Sequence, residues 1–151
     1  MRKVLIVVGC NKEKLQLTDK KFQNKMLDFL NVAPNKFDGV ISIVRAKTLA
    51  GNFNKSGDTI GAIGEVLLDY PSDTIMYVPG YDVDTSKFTR DNEYYICGIS
   101  TSASVLCIAM SMYSAGLNVK VLTEYCTDRK SKKLESYAHE IMKAYMPDCV
   151  V

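Results

Sequence analysis

Five cysteines, one histidine and a run of hydroxyls near residue 102 are the side chains from which this chain could build a reactive site. A cysteine attacks a carbonyl carbon as the thiolate, which needs a neighbouring cation or base. Cys10, Cys97, Cys107, Cys126 and Cys149 are odd in number, show no C-x-x-C spacing and lie mostly in apolar segments. That pattern fits reduced thiols packed as small apolar residues better than a disulfide frame. His139 is the single histidine, so chemistry or metal binding that needs two imidazoles is excluded. Ser100, Thr101, Ser102 and Ser104 put four hydroxyls just ahead of an apolar helical pattern. Such a turn caps a helix, and its hydroxyls and N–H groups also suit an anion or a carbonyl. Gly57, Gly61 and Gly64 have the spacing of neither a dinucleotide fingerprint nor a P-loop and read as a flexible loop. The basic run over residues 129–133 has no interleaved aromatics and reads as a solvated helix start, whereas Tyr77, Tyr81, Tyr94 and Tyr95 suit either a pocket wall or core packing.

The elements that must position these residues alternate between two periodicities. Residues 3–8 are a continuous β-branched run, the mark of a parallel strand buried on both faces. Similar runs at 39–44, 74–78, 94–97 and 119–122 predict four further strands. Thr18 and Asp19 open a helix in which Phe22, Met26, Leu27, Phe29 and Leu30 recur at helical spacing before Pro34. Residues 102–115 predict a second helix, with Val105, Ile108, Ala109, Met112 and Tyr113 on one face and Gly116 as its stop. A last helix over 129–145 carries Leu134, Tyr137, Ile141 and Tyr145 as its expected inward stripe. Residues 46–58 read as a long polar loop, and 59–70 as partly helical. This alternation predicts a three-layer α/β/α, doubly wound, mainly parallel sheet in a single domain over 1–151. Ligands in such sheets sit at the carboxyl ends of the strands.

Length and charge narrow the function classes. At 151 residues and 47% hydrophobic content, the chain has the material for one real core. A net charge of +2 is too small for a phosphate-tracking surface, so no nucleic-acid partner is expected. The apolar run at the N-terminus is too short for a signal segment or a membrane span, which predicts a soluble cytoplasmic protein with no membrane partner.

Several strand ends carry a resemblance. The segment from Cys97 to Ala109 (CGISTSASVLCIA), the segment ending at Cys126 (SAGLNVKVLTEYC), Val78-Pro-Gly-Tyr-Asp82 and the opening strand Leu5-Ile-Val-Val-Gly9 together resemble the isochorismatase-like cysteine hydrolases. That superfamily includes nicotinamidases and carbamoyl-amide hydrolases. The similarity runs in order over most of the chain and implies the family's fold, with an abbreviated helix between Asp82 and Glu93 and a cis peptide at Ile99–Ser100. The family's chemistry uses an aspartate that takes the proton, a lysine that holds the charged forms and a nucleophilic cysteine.

Carried over by position, the aspartate falls on Gly9, the lysine on Val78 and the cysteine on Ser104. A serine without base or cation is a weak nucleophile. The expected function is therefore non-catalytic: small-ligand binding, or assembly as a homo-oligomer or a subunit of a larger complex. The ligand-binding candidates are Cys10, Asn11, Tyr81, Ser100, Thr101 and Ser104. The alternative is a divergent hydrolase of a small amide or ester, using Cys10, Cys107 or Ser104 with Asp82 or Glu124 as base. Where nicotinamidase-like members carry an Asp/His metal cluster, this chain has Arg45-Ala-Lys47. No metal and no cofactor are expected.

Overall fold

A computed structural model describes residues 1–45, 70–78, 80–129 and 131–151. The expected loop over 46–58 and the expected helix over 59–70, Tyr70 apart, lie outside the described residues, as do Gly57, Gly61 and Gly64.

Strand β1 (Arg2–Val8) is the centre of the molecule, and its residues from Val4 onward are all buried. Burial of successive residues means that both faces of the strand are covered, which is why the sequence runs apolar without alternation. Parallel partners flank it: β2 (Gly39–Arg45) on one side and β4 (Asn92–Ile99) on the other. β3 (Thr74–Val78) lies outside β2, and β5 (Asn118–Thr127) outside β4. The described strands thus form a five-stranded, wholly parallel sheet in the order β3-β2-β1-β4-β5. Chain order moves outward from β1 to β2 and β3, then crosses back to β4 on the other side of β1. Right-handed crossovers in opposite directions place the connecting helices on opposite faces and open a crevice at the carboxyl ends of β1 and β4.

Helix α1 (Lys12–Gln16) follows β1 directly, capped by Asn11, whose side-chain oxygen accepts from the Lys14 N–H at 2.8 Å. Helix α2 (Lys20–Val32) is capped by Asp19, which accepts from Phe22 N–H at 2.7 Å. Phe22, Met26, Phe29 and Leu30 turn inward as their spacing predicts, while Leu27 stays partly exposed. Phe29 fixes α2 on the sheet by stacking on Tyr125 of β5, with ring centroids 3.9 Å apart. Helix α3 (Leu106–Ser114) buries Ile108, Ala109 and Met112, and Val105 just ahead of it is buried too. Tyr113, expected on that face, is exposed.

Helix α4 (Lys132–Tyr145) corrects the largest expectation. It begins at Ser131, whose side chain caps it, rather than at residue 129, and it packs against α3 and β5. Its buried residues are Ala138 and Met142, followed by Met146 and Cys149 beyond its end. Leu134, Tyr137, Ile141 and Tyr145 face outward. The buried set has the same helical spacing one position further on, a rotation of about 100°. Ala138 lets the helix approach closely, and methionine fills the irregular space beneath it.

β5 is longer than the run 119–122, and its register shows why. Two steps along β4, from Ile96 to Gly98, match five along β5, from Val121 to Cys126. The bulged segment turns instead to the chain end, where Thr123 N–H donates to the Val151 carbonyl at 3.0 Å and Val151 N–H to the Val121 carbonyl at 3.0 Å. Between Asp82 and β4 there is only a short 3-10 turn, Thr85–Lys87, in agreement with the abbreviated helix. No described helix is long and apolar enough to cross a membrane.

Candidate functional site at the strand ends

Gly9 ends β1 with φ +58, and its N–H donates to the Ile43 carbonyl at 3.0 Å. A Cβ at this residue would overlap the carbonyl oxygen of Ile99 and would stand 3.2 Å from Lys14 Nζ. Across the crevice, Gly98 has φ +136, and a Cβ there would overlap the carbonyl of Val8. The two strand ends therefore approach backbone to backbone, and only glycine fits either position.

β4 runs into the hydroxyl-rich turn through a cis Ile99–Ser100 peptide, as the resemblance implies. Residues Thr101–Val105 form a π-helical turn that leads into α3, with Val105 N–H and Ala103 N–H both donating to the Ser100 carbonyl at 3.2 Å. Asp128, buried just past the end of β5, accepts from Ser102 N–H at 3.2 Å and also from the Ser102 hydroxyl. This carboxylate ties the turn to β5. Thr101 is wholly buried, and its hydroxyl has no hydrogen-bond partner.

Among the described residues, two adjoining spaces lie above these strand ends. The lower, of about 10 Å³, is lined by Gly9, Val78 and Ser104 together with Lys14, Arg45 and Tyr81. Its size is at the threshold for a single water molecule. The upper is a cleft of about 350 Å³, lined on its polar side by Asn11, Lys14, Arg45, Tyr81, Ser100, Ser102, Ser104, Asp128 and Arg129. Ser104 borders both. Arg45, at the end of β2, donates through Nη1 to the Tyr81 hydroxyl at 3.2 Å, and its guanidinium carbon stands 4.4 Å from the Tyr81 ring centroid.

The structure thus brings Asn11, Tyr81, Ser100 and Ser104 of the expected binding residues to one cleft. Cys10 and Thr101 are buried and do not line it. Of the four tyrosines near strand ends, Tyr81 alone reaches the cleft. Tyr94 is buried near the amino end of β4, where its hydroxyl accepts from Thr89 N–H at 2.9 Å.

Neither the protein-family models nor the curated proteins give a match to the sequence. Solved structures do. The pyrazinamidase of Pyrococcus horikoshii in complex with zinc superposes with a TM-score of 0.71 at 20% identity, over 99% of this chain and 97% of that one. The nicotinamidase/pyrazinamidase of Bacillus subtilis gives 0.72 at 13% identity, over 100% of both chains. An isochorismatase-like hydrolase from Alkaliphilus metalliredigens gives 0.71 at 12% identity, over 100% of this chain and 94% of that one. This chain has the isochorismatase-like hydrolase fold.

Within that fold the thiols are held in their neutral form. Burial pushes the Cys10 thiol up to about 12 against the opposing charge of Lys14, and burial pushes Cys126 up to about 12 as well. Burial raises Cys97 well above the usual thiol range, and it raises Cys149 and Cys107, the last with help from the Asp82 carboxylate. A cysteine nucleophile needs the opposite shift. Asp82 and Glu124, the two carboxylates weighed as bases, do not line the cleft.

The described residues at this end of the isochorismatase-like sheet do not fit a metal ion. Arg45 brings a fixed cation to the end of β2, and among the described residues no group of three His, Cys, Asp or Glu side chains could hold a metal. Lys14, Arg45, Ser102, Asp128 and Arg129 line the cleft without having been among the binding candidates drawn from sequence. Lys14 arrives on the short helix α1, for which the only signal was Asn11 as a cap three residues ahead. Asp128 arrives because β5 continues past its apolar run.

Proposed function

We propose that this chain binds a small ligand in the strand-end cleft and does not hydrolyse it. The observation that carries this reading is the backbone at Gly9. Its left-handed conformation against the Ile99 carbonyl leaves no place for the side chain of a proton-accepting aspartate. The cleft above Gly9, Val78 and Ser104 falls in the range of roughly 300–1,000 Å³ usual for small-molecule sites. Neutral thiols, and a cleft lining that includes neither Asp82 nor Glu124, support the same reading. They also suit a reducing, cytosolic compartment.

The test is hydrolysis of nicotinamide and of an activated ester by the purified protein. No turnover is expected above that of a Ser104→Ala variant, and Ser104→Cys is expected to add none. Turnover by the unmodified chain that disappears in Ser104→Ala sinks the reading. A thermal-shift screen of neutral amides and small acids then looks for ligands, because binding to the folded state alone raises the unfolding temperature.

A second reading, assembly with another copy of this chain, is favoured by α4. Leu134, Tyr137 and Ile141 expose an apolar face, and Leu134 also lines the cleft, so a copy seated there would cover the cleft's rim. Light scattering tests it: a dimer that dissociates in Tyr137→Glu supports assembly, and a monomer at all concentrations refutes it.

A further inference from the structure

A hollow of about 540 Å³ lies at the other end of the sheet from the cleft, over the amino ends of β1, β2, β3 and β4. We propose that it binds a free α-amino acid with an apolar side chain, with Arg2 on the ligand's carboxylate, Asp73 on its ammonium and the sheet beneath its side chain. This site is independent of the cleft. Two omissions in the sequence create it. Val4 is the register partner of Gly39 on one side and of Tyr94 on the other, and Ile41 is the partner of Thr74, so all five positions belong to one face of the sheet. Gly39 adds no side chain to that face. The connection from β3 to β4 is cut down to the 3-10 turn Thr85–Lys87, after which Phe88 packs edge-on against Tyr94 with ring centroids 5.3 Å apart. Val4, Ile41, Phe88 and Tyr94 are left as an apolar floor and wall.

Opposite charges flank the missing side chain. A Cβ on Gly39 would stand 3.5 Å from Arg2 Nη2 and 3.8 Å from Asp73 Oδ2, yet Arg2 and Asp73 form no ion pair with each other. The backbone holds each in place: Arg2 Nη2 donates to the Asp38 carbonyl at 3.2 Å, and Asp73 Oδ2 accepts from the Val40 N–H at 2.7 Å. Further guanidinium N–H groups and the second carboxylate oxygen are left for a ligand. Tyr94 supplies a third group. It is 2% exposed, and its hydroxyl accepts from the Thr89 N–H at 2.9 Å and from the Asn92 side-chain amide at 3.3 Å, so its own proton remains to be donated. Asn92 is the register partner of Arg2, which puts this donor on the guanidinium side of the hollow, where a ligand carboxylate accepts from both. Asp38 and Lys87 complete the rim with one charge of each sign. Two cations and two carboxylates suit a zwitterion, whereas a ligand of one charge would cover either Arg2 or Asp73 without pairing it.

The test compares L-phenylalanine with two compounds that each lack one of its charges, phenethylamine and hydrocinnamate, with binding to the full chain read by calorimetry and by thermal shift. L-Phenylalanine is expected to bind at least about tenfold more tightly than either. Arg2→Met is expected to weaken L-phenylalanine about tenfold and leave phenethylamine unchanged, and Asp73→Asn to weaken it equally and leave hydrocinnamate unchanged. Gly39→Val refills the floor and is expected to abolish binding. Its Cβ meets neighbours at ordinary contact distances, so the variant keeps the fold, as circular dichroism can verify. Equal affinity for the three compounds overturns the proposal, as does full binding in Gly39→Val or the absence of any response to L-phenylalanine. Binding that is lost in Arg45→Met but kept in Gly39→Val also overturns it, and places the ligand in the cleft instead.

Discussion

A carbonyl oxygen stands where the side chain of residue 9 would begin, and the consequences are measurable residue by residue. Gly9→Ala forces a Cβ onto the Ile99 carbonyl in a left-handed conformation, and it is expected to cost at least about 2 kcal/mol, read as a lower urea midpoint. The hydroxyls of the turn separate into two kinds. Ser102→Ala removes a donor from the buried Asp128 carboxylate and is expected to cost about 1–3 kcal/mol. Ser104 faces the cleft, so Ser104→Ala is expected to stay within about 0.5 kcal/mol of the parent. Equal losses from the two serines would contradict this division. At this scale the sequence was partly legible. Asn11, Tyr81, Ser100 and Ser104 reach the cleft, whereas Thr101 turns inward and is wholly buried.

At the scale of elements, strands were easier to read than helix faces. Parallel strands buried on both sides have to be apolar throughout, so β1 and most of β2 stand out in composition, whereas β3, outermost among the described strands and buried only at Val78, is marked by its strand-forming residue types. β5 outruns its apolar signal because its far end is paired through a bulge that no local pattern encodes. α4 misled because it carries apolar residues at helical spacing on two adjacent faces, and tertiary packing chose the one with Ala138. The choice predicts opposite outcomes for neighbouring residues. Met142→Ala is expected to lose about 2–5 kcal/mol, as deletions of fully buried side chains do, while Tyr137→Ser leaves the unfolding midpoint nearly unchanged. A reversal of that order in denaturant melts would restore the stripe first read from the sequence.

For the whole molecule, the five protonated thiols make stability a function of alkalinity. An unfolded thiol ionises near 9.0, whereas Cys10 and Cys126 in the fold hold their protons to about 12. Above pH 9 the unfolded chain therefore sheds protons that the folded chain keeps, so the stabilisation present below pH 9 is lost as pH rises toward 12. Each of these thiols contributes a slope of about 1.4 kcal/mol per pH unit in that window. Urea melts at intervals from pH 8 to 11 are expected to show the decline, and Cys10→Ala to make it shallower. A midpoint independent of pH over that range would refute the assignment.

The reciprocal contact of Gly9 and Gly98 also limits where this scaffold can evolve. Gly→Asp is a one-letter change in the genetic code, yet at position 9 it yields a folding defect before it can yield a base, because the backbone of β4 occupies the required volume. A lineage or a laboratory selection seeking hydrolysis from this chain would need the strand ends to separate first, by changes elsewhere. The accessible mutational routes lead instead to the walls of the upper cleft, where Arg45, Tyr81 and Ser104 can each be exchanged without disturbing that close approach. Diversification in chains of this kind is therefore expected to concentrate on which molecule is held.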